Sequence, residues 1–271
     1  YSLNGGKNIT FTSNGTINQA EWDLLSDGTI SITFYANDTA GNIASKSIDV
    51  IKDTSAPNLT IVKPNQDEVF GSAAPTFTVE ITDPNLDTMW YSLNGGQNIT
   101  FTSNGTINQA SWDLLSDGTI SITFYANDTV GRIASNSVDV IKDTTAPNLT
   151  ILNPSQDEIF GSAAPTFTVE ITDPNLYTMW YSLNGGKNIT FTSNGTINQA
   201  EWDLLSDGTI SITFYANDTA GHIASKSVEV IKEIKVQTGS GEIPSYPLII
   251  FVPMVCILMI GLVLIYLRKT K

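Results

Sequence analysis

Residues 114–131 read LLSDGTISITFYANDTVG, and apolar and polar residues alternate strictly from residue 120 to residue 126. The apolar set is Ile120, Ile122, Phe124 and Ala126, and the polar set is Ser121, Thr123 and Tyr125. Successive side chains of a β-strand point to opposite faces, so one face of this segment is apolar and the other polar. Such a segment fits an antiparallel sheet that covers a core on one side. The stretch therefore predicts a half-buried strand of an all-β protein.

The same alternation recurs on either side of this strand. Residues 76–81 and 89–93 alternate in the same way, and the second run ends in Asn94-Gly95-Gly96, a strong hairpin signal. We expect further strands near 58–62 and 136–141 and in a segment around 98–115, which gives about seven short strands. No stretch before residue 247 shows a sustained helical period. This pattern is typical of an antiparallel β-sandwich.

The sequence is internally repeated. Tyr-Ser-Leu-Asn-Gly-Gly begins at residues 1, 91 and 181, a period of 90, and residues 1–90 and 91–180 are identical at 78 of 90 positions. The third copy follows the same text to about residue 232. A unit of this length exceeds a solenoid repeat and matches one small β-sandwich. The chain is therefore predicted to be a row of similar domains.

Two connectors set the domain boundaries. Asp-Thr-Ser-Ala-Pro at 53–57 and Asp-Thr-Thr-Ala-Pro at 143–147 separate the last strand of one unit from the first strand of the next. The predicted domains are therefore 55–144 and 145–235. Residues 1–54 are predicted to be a truncated unit that lacks its first strands and is poorly packed alone. Connectors this short do not allow free pendulum motion.

The strand LLSDGTISITFYANDTVG, followed by Asp-Thr-Thr-Ala-Pro at 143–147, resembles prokaryotic immunoglobulin-like repeats of cell-surface proteins. Asn127-Asp128-Thr129 and Gly131 match the pattern, and the first copy also has Asn42 after its glycine. The resemblance covers about residues 1–235 and implies tandem immunoglobulin-like sandwiches, with no particular function. The chain lacks the disulfide cysteines of antibody domains. Trp90 and Trp180 therefore lack that packing partner.

A membrane anchor is predicted after the repeats. Residues 247–267, PLIIFVPMVCILMIGLVLIYL, carry no charge, and as one C-terminal transmembrane α-helix they would span roughly 30 Å of hydrocarbon. Residues 268–271 form a basic tail that we place in the cytoplasm, which puts residues 1–245 outside a single-pass cell membrane protein. Residues 236–246 are the juxtamembrane linker. All 27 carboxylates and ten of the 13 cations lie before residue 246, a formal charge of −17 on the external part.

The ends of the sequence carry two further expectations. Residues 241–246, with the apolar run and basic end that follow, are similar to C-terminal sorting tails of archaeal surface proteins. A permanent anchor is the interpretation that we favour over such processing. Residue 1 is tyrosine and no signal peptide precedes the repeats, so we expect the sequence to be the C-terminal part of a longer protein.

Composition excludes several functions. The net charge of −14 argues against nucleic acid as a partner. His222 and Cys256 are the single histidine and cysteine, which excludes disulfide frameworks and Cys/His zinc sites. His222 is predicted to lie at an exposed hairpin tip without a special role, and a structural or a lipidated role stays open for Cys256. The adjacent pair Asp67-Glu68 should point in different directions, so acid–base catalysis is not expected. The chain is predicted not to be an enzyme.

Glycosylation is the first candidate modification. Eleven asparagines stand in Asn-x-Ser/Thr sequons: Asn8, Asn14, Asn37, Asn58, Asn98, Asn104, Asn127, Asn148, Asn188, Asn194 and Asn217. The strand alternation predicts that Asn98, Asn127 and Asn148 face solvent, as a bulky glycan requires.

Calcium is the candidate ligand for loop acids. Asp83, Asn85, Asp87 and the connector residue Asp143 carry the hard oxygen donors that Ca²⁺ prefers. No EF-hand spacing is present, and Tyr177 replaces Asp87 in the next copy. Solvated loop acids are therefore the favoured interpretation, no cofactor is predicted, and Ca²⁺ is the alternative.

Trp22, Trp112 and Trp202 recur once in each unit. They are interpreted as core anchors and not as carbohydrate platforms.

These features predict a membrane-anchored cell-surface protein with a structural or adhesive role, whose repeats form a stalk or coat element. Domains about 35 Å long in tandem would project on the order of 90 Å. Two alternatives stay open: a spacer for a surface protease or glycosidase whose catalytic domain precedes residue 1, and a receptor for a specific protein or glycan. The expected partners are the membrane and surface proteins or glycans.

Overall fold

The computed structural model describes residues 1–235, which form three successive β-rich units joined by two five-residue connectors. Within this range no helix has the length and apolar character needed to cross a membrane. The predicted linker 236–246, span 247–267 and tail 268–271 lie outside the described residues, as does Cys256.

The elements repeat from unit to unit. The first unit contains β1 (Ser2–Leu3), α1 (Gln19–Asp23), β2 (Gly28–Asn37) and β3 (Ile43–Lys52). The second contains β4 (Asn58–Lys63), β5 (Val69–Phe70), β6 (Thr76–Thr82), β7 (Leu86–Leu93), β8 (Ile99–Phe101), β9 (Gly105–Thr106), α2 (Gln109–Asp113), β10 (Gly118–Asp128) and β11 (Ile133–Lys142). The third contains β12 (Asn148–Asn153), β13 (Glu158–Phe160), β14 (Thr166–Thr172), β15 (Leu176–Leu183), β16 (Ile189–Phe191), β17 (Gly195–Thr196), α3 (Gln199–Asp203), β18 (Gly208–Asp218) and β19 (Ile223–Lys232).

Each of the last two units is a two-sheet sandwich. In the second unit a three-stranded sheet in the order β4-β6-β9 accompanies a five-stranded sheet in the order β5-β11-β10-β7-β8. All pairs are antiparallel except β5 with β11, which is parallel. The third unit repeats this arrangement with β12-β14-β17 and β13-β19-β18-β15-β16. The predicted all-β, immunoglobulin-like sandwich is confirmed for these two units.

The alternating strand that predicted the fold lies in the middle of the core. The inward residues of β10 are buried without interruption from Ile120 to Asp128. The Phe124 ring packs against Phe77 and Tyr91, with ring centroids 5.2 Å and 5.9 Å apart. Because Phe77 lies on the opposite sheet, this aromatic cluster joins the two layers of the sandwich.

The segment around 98–115 contributes strands, as predicted, but it also contains a helix that was not predicted. It contains two short strands and the five-residue helix α2, whose N-cap residue Asn108 accepts a hydrogen bond from the Ser111 N–H. The helix places Trp112 in the core, where its Nε1 donates to the Gly71 carbonyl at 3.1 Å. A helix of five residues is too short to produce a helical period in the sequence. Trp112 is a core anchor, as predicted.

A buried lysine connects the last strand to this helix. The Lys142 Nζ donates to the carbonyls of Trp112 at 2.9 Å and of Leu115 at 2.6 Å. These carbonyls lie at the C-terminal end of α2, where the helix dipole favours a cation. Lys52 and Lys232 make the same contacts in the other two units. The lysine therefore fixes the strand end from which each connector begins.

The first unit exposes apolar side chains that the other units bury. Its three strands form one sheet in the order β1-β2-β3, and within the described residues no second sheet faces it. Phe34 is 37% exposed, whereas its counterpart Phe124 is 0% exposed. Ile48 is likewise exposed, and its counterpart Val138 is buried. The incomplete packing predicted for residues 1–54 agrees with this difference.

We expect limited proteolysis to cleave within residues 1–54 before it cleaves residues 55–235. A sheet without a packing partner opens locally at a lower free energy than a closed sandwich, and proteases cut the opened state. Timed digestion with thermolysin, followed by mass spectrometry of the fragments, measures the order of cleavage. Resistance of 1–54 equal to that of 55–144 would contradict the prediction.

Candidate metal centre

The strand directions place a carboxylate at each end of the second unit. Asp128 ends β10, and Asp143 directly follows the antiparallel neighbour β11. The two aspartates therefore lie at opposite ends of the sandwich. Asp143 starts the connector to the third unit, and Asp128 lies at the end that meets the connector from the first unit. Each junction thus brings a connector aspartate to a strand-end aspartate of the following unit.

Three aspartates meet at the first junction. Carboxylate oxygens of Asp53, Asp83 and Asp128 lie within 4.8 Å of one another. Asp53 comes from the connector, and the other two come from the ends of β6 and β10 in the following unit. Asp53 and Asp128 are buried and Asp83 is half-buried. The group therefore joins the connector to the unit that follows it.

One oxygen in this group lacks a partner. The Asp128 Oδ1 accepts hydrogen bonds from the backbone N–H of Val130 at 2.8 Å and of Arg132 at 2.9 Å. The Oδ2 atom is buried and has no hydrogen-bond partner within residues 1–235. A buried carboxylate oxygen without a partner is destabilising, and a cation would supply the missing interaction. Three carboxylates are hard oxygen donors, so the residues present fit Ca²⁺.

Hydrogen bonds hold Asp53 in its ionised form. The Asn85 Nδ2 donates to Asp53 Oδ2 at 2.8 Å, and the Ser55 N–H donates to Oδ1 at 3.1 Å. These bonds, together with the positive charge of Arg132, lower the pKa of Asp53 below its ordinary value although burial opposes them. Asn85 therefore positions the Asp53 carboxylate.

The second junction brings together a different set. Its group consists of Asp143, Asp218 and His222, whose ligand atoms lie within 4.8 Å of one another. The His222 Nδ1 lies 2.9 Å from Asp218 Oδ2, and the His222 backbone N–H donates to Oδ1 at 2.9 Å. Among the described residues, Asp173, the counterpart of Asp83, does not belong to this group.

The prediction for His222 was wrong. Its side chain is 27% exposed and hydrogen-bonded, and the turn that carries it lies against Gly71 of the preceding unit. Burial raises the pKa of Asp218, but the backbone and side-chain hydrogen bonds from His222 and its charge outweigh burial and lower that pKa. The turn of a single domain would be exposed, and the neighbouring unit covers it here.

Other candidate residues lie outside these groups. Asp87 is not in the cluster. Its carboxylate accepts from the Asn127 Nδ2 at 3.2 Å. Asp67 lies in a turn with a positive φ of 59°, and the Glu68 Oε2 accepts from the Asn65 N–H at 2.8 Å. The pair Asp67-Glu68 therefore shapes a turn.

Outward-facing aromatic pairs were not predicted. Trp90 stacks on Tyr125 with ring centroids 5.3 Å apart and an interplanar angle of 4°. Trp180 and Tyr215 repeat this stack in the third unit. Both pairs are half-buried on the outer face of a five-stranded sheet. In each pair a tyrosine ring is therefore the packing partner of the tryptophan, which has no disulfide to pack against.

The sequons differ in exposure. Nine are exposed: Asn8, Asn14, Asn37, Asn58, Asn98, Asn104, Asn148, Asn188 and Asn194. Asn127 and Asn217 are half-buried, whereas the strand alternation had placed Asn127 in solvent. The Asn127 Oδ1 also accepts from the Thr88 N–H at 3.1 Å. Glycosylation at all eleven positions stays a prediction.

The sequence pattern pointed to Asp83 and Asp143 as candidate ligands, but it did not indicate that Asp53 or Asp128 belongs to a cluster. A signal was available. The inward phase of β10 extends to Asp128, and each connector begins with an aspartate. To predict that these aspartates meet, one would have had to know how consecutive units contact each other.

Comparisons with known proteins return similar structures and no named family. No family model matches the sequence, and no curated protein matches it. Fibronectin(III)-like modules of Clostridium thermocellum CbhA superpose with a TM-score of 0.39 at 13% identity over 65% of this chain and 95% of theirs. A Ca²⁺-stabilised ice-binding adhesin of an Antarctic bacterium gives 0.35 at 18% identity over 80% of this chain and 59% of that one.

A bacterial ice-binding adhesin studied for its retention on the host cell surface gives a TM-score of 0.39 at 14% identity, over 81% of this chain and 79% of that one. None of these similarities decides a function. The class that the fold itself defines is a tandem β-sandwich repeat protein.

We expect glycan occupancy to be higher at Asn37 than at Asn127. The two sequons have the same sequence, Asn-Asp-Thr, but Asn37 is exposed and Asn127 is half-buried and hydrogen-bonded. Glycopeptide mass spectrometry of the chain isolated from its native host measures both sites in one sample. Occupancy at Asn127 equal to or above that at Asn37 would show that burial does not govern modification.

Proposed function

We propose that residues 1–235 form the stalk of a membrane-anchored cell-surface protein with a structural or adhesive role, and that calcium stiffens it between the units. The observation that supports a stalk is that each connector is bound by the unit before it and by the unit after it. In a row of domains linked in this way, the position of each domain is fixed by its neighbours. Domains joined by loose linkers move independently of one another.

The contacts of the first connector show this double attachment. The Thr54 N–H and hydroxyl donate to the Asp27 carboxylate of the preceding unit at 3.0 Å and 2.9 Å. Its neighbour Asp53 accepts from Asn85 of the following unit at 2.8 Å. Connector residues that hydrogen-bond to both neighbours lose the freedom of a flexible linker.

The second connector repeats the attachment. Thr144 donates to Asp117 of the preceding unit at 3.0 Å and 2.9 Å, and Asp143 accepts from Asn175 of the following unit at 2.8 Å. Two junctions with the same contacts favour a regular stalk.

Calcium would act at the first junction. Asp53, Asp83 and Asp128 would hold the ion, which would neutralise their mutual repulsion and satisfy the unpartnered Asp128 Oδ2. Because Asp53 belongs to the connector, the bound ion would fix the connector to the following unit. Sites of extracellular modules bind Ca²⁺ with dissociation constants of about 10⁻⁴–10⁻³ M.

The anchor in this proposal is the apolar segment 247–267, with the basic tail 268–271 in the cytoplasm and the repeats outside. The charge-free length of the segment and the basic residues that follow it support this orientation. A surface location would also place the acidic junctions in a calcium-containing medium.

Binding of a glycan or protein ligand is the second candidate function. The paired stacks Trp90–Tyr125 and Trp180–Tyr215 favour it, because each presents aromatic surface on an outer sheet face. Aromatic side chains of this kind combine an apolar face with a polar tip.

We expect Ca²⁺ to raise the melting temperature of the full chain by about 5 °C when it is present at tenfold its dissociation constant. Asp128→Asn should abolish this shift, because it removes a ligand charge and keeps the Oδ1 acceptor that holds the turn. Asp87→Asn is the matched control and should leave the shift unchanged, since Asp87 lies outside the cluster. Calorimetry in EDTA and in Ca²⁺ measures the shift, and equal melting temperatures would refute calcium stiffening.

We expect the full chain to stay in the membrane fraction after an alkaline carbonate wash, and a variant ending at residue 246 to be released. Immunoblotting of both fractions measures the distribution. Release of the full chain by the wash would refute the anchor and leave the calcium measurement unaffected.

A further inference from the structure

We propose that Ca²⁺ binds at the first junction and is excluded from the second, where the His222 imidazole takes the place of the ion beside Asp218. This inference rests on the proposed calcium-stiffened stalk and assigns the metal to one of its two junctions. It makes the residue four positions after the strand-end aspartate the one that determines metal binding.

The two strand-end aspartates differ in the partner of their Oδ2 atom. Asp128 and Asp218 are each 1% exposed, and the Oδ1 of each accepts the backbone N–H of the residue four positions later at 2.9 Å. The Asp128 Oδ2 has no hydrogen-bond partner within the described residues, whereas the Asp218 Oδ2 lies 2.9 Å from His222 Nδ1. One junction thus has a buried carboxylate oxygen available to a cation, and the other does not.

The first unit supports the role of this position. Asn42 stands there, and its Nδ2 donates to Asp38 Oδ2 at 2.8 Å. Arg132 stands there in the second unit and leaves the carboxylate oxygen unpartnered, with its side chain lining a cleft of about 680 Å³ between the first two units. Asparagine and histidine therefore satisfy the carboxylate from their own turn, and arginine does not.

The neighbouring unit holds the imidazole in place. Gly71 lies against the ring, since a Cβ atom at that position would be 3.4 Å from the His222 Cε1 and 3.5 Å from Nε2. The ring therefore fills the space between the preceding unit and Asp218. The group also contains two carboxylates instead of three, because Asp173 does not join it among the described residues.

These differences act in the same direction on affinity. A cation at the second junction must break a charge-assisted hydrogen bond and binds one carboxylate fewer. Loss of a hydrogen bond to a charged group corresponds to about tenfold or more in a dissociation constant. The second junction is already closed by protein groups, so it stays stiff when calcium is removed.

Isothermal titration of the full chain with CaCl₂, in mild detergent after EDTA treatment and at one fixed pH, tests the assignment. We expect one Ca²⁺ per chain. Asp128→Asn should remove it, and the equivalent substitution Asp218→Asn should leave it unchanged.

Exchange of the deciding residue supplies the second test. Arg132→His should weaken binding at the first junction about tenfold or more. The control Arg132→Ala should retain or strengthen binding, because it removes a positive charge that acts on Asp53. His222→Ala and His222→Arg should each add a second, weaker Ca²⁺. Circular dichroism in EDTA verifies that each variant is folded.

The outcomes separate the two proposals. No calcium binding by the wild-type chain would overturn both this inference and calcium stiffening. Two ions per wild-type chain, removed separately by Asp128→Asn and Asp218→Asn, would overturn only the assignment to one junction. Failure of both His222 variants to add an ion would show that His222 is not what excludes calcium.

Discussion

The strict alternation of one strand controls both the core and the junction. From Ile120 to Asp128 every second residue of β10 is buried, and the phase does not change at the end of the sandwich. The same geometry that places Phe124 between the sheets therefore places a carboxylate inside the protein at the end of the strand. A buried charge at that position is stabilised by a partner. His222 supplies one to the Asp218 Oδ2, whereas the Asp128 Oδ2 has none among the described residues.

The stacking of the units follows from where each strand ends. Because β10 and β11 are antiparallel, the second unit carries the buried strand-end Asp128 at one end and the connector residue Asp143 at the other. Lys142 ties the end of β11 to the end of α2 and so fixes the origin of the connector. The junction is consequently set by the internal packing of each sandwich, and the short connector adds little freedom of its own.

The local pattern was sufficient to predict the sandwich, because alternation, turn residues and the 90-residue period are properties of neighbouring positions. It was not sufficient for α2, whose five residues are too few to show a period. The local pattern was also not sufficient to predict the aspartate cluster, since Asp53 and Asp128 meet only when two units stack. The same stacking explains His222: its turn has the sequence of an exposed hairpin, and Gly71 of another unit covers it.

Near-identity of the copies makes their few differences informative. Residues 1–90 and 91–180 differ at only 12 of 90 positions, and one of these is the position occupied by Asn42 and Arg132. Identical junctions would all respond to the cation in the same way and at the same concentration. Under the calcium proposal, a change beside a buried carboxylate would instead make one junction depend on the ion and another on a side chain. If the repeats form the proposed stalk, duplication followed by substitution at this position would set, junction by junction, how its stiffness responds to calcium.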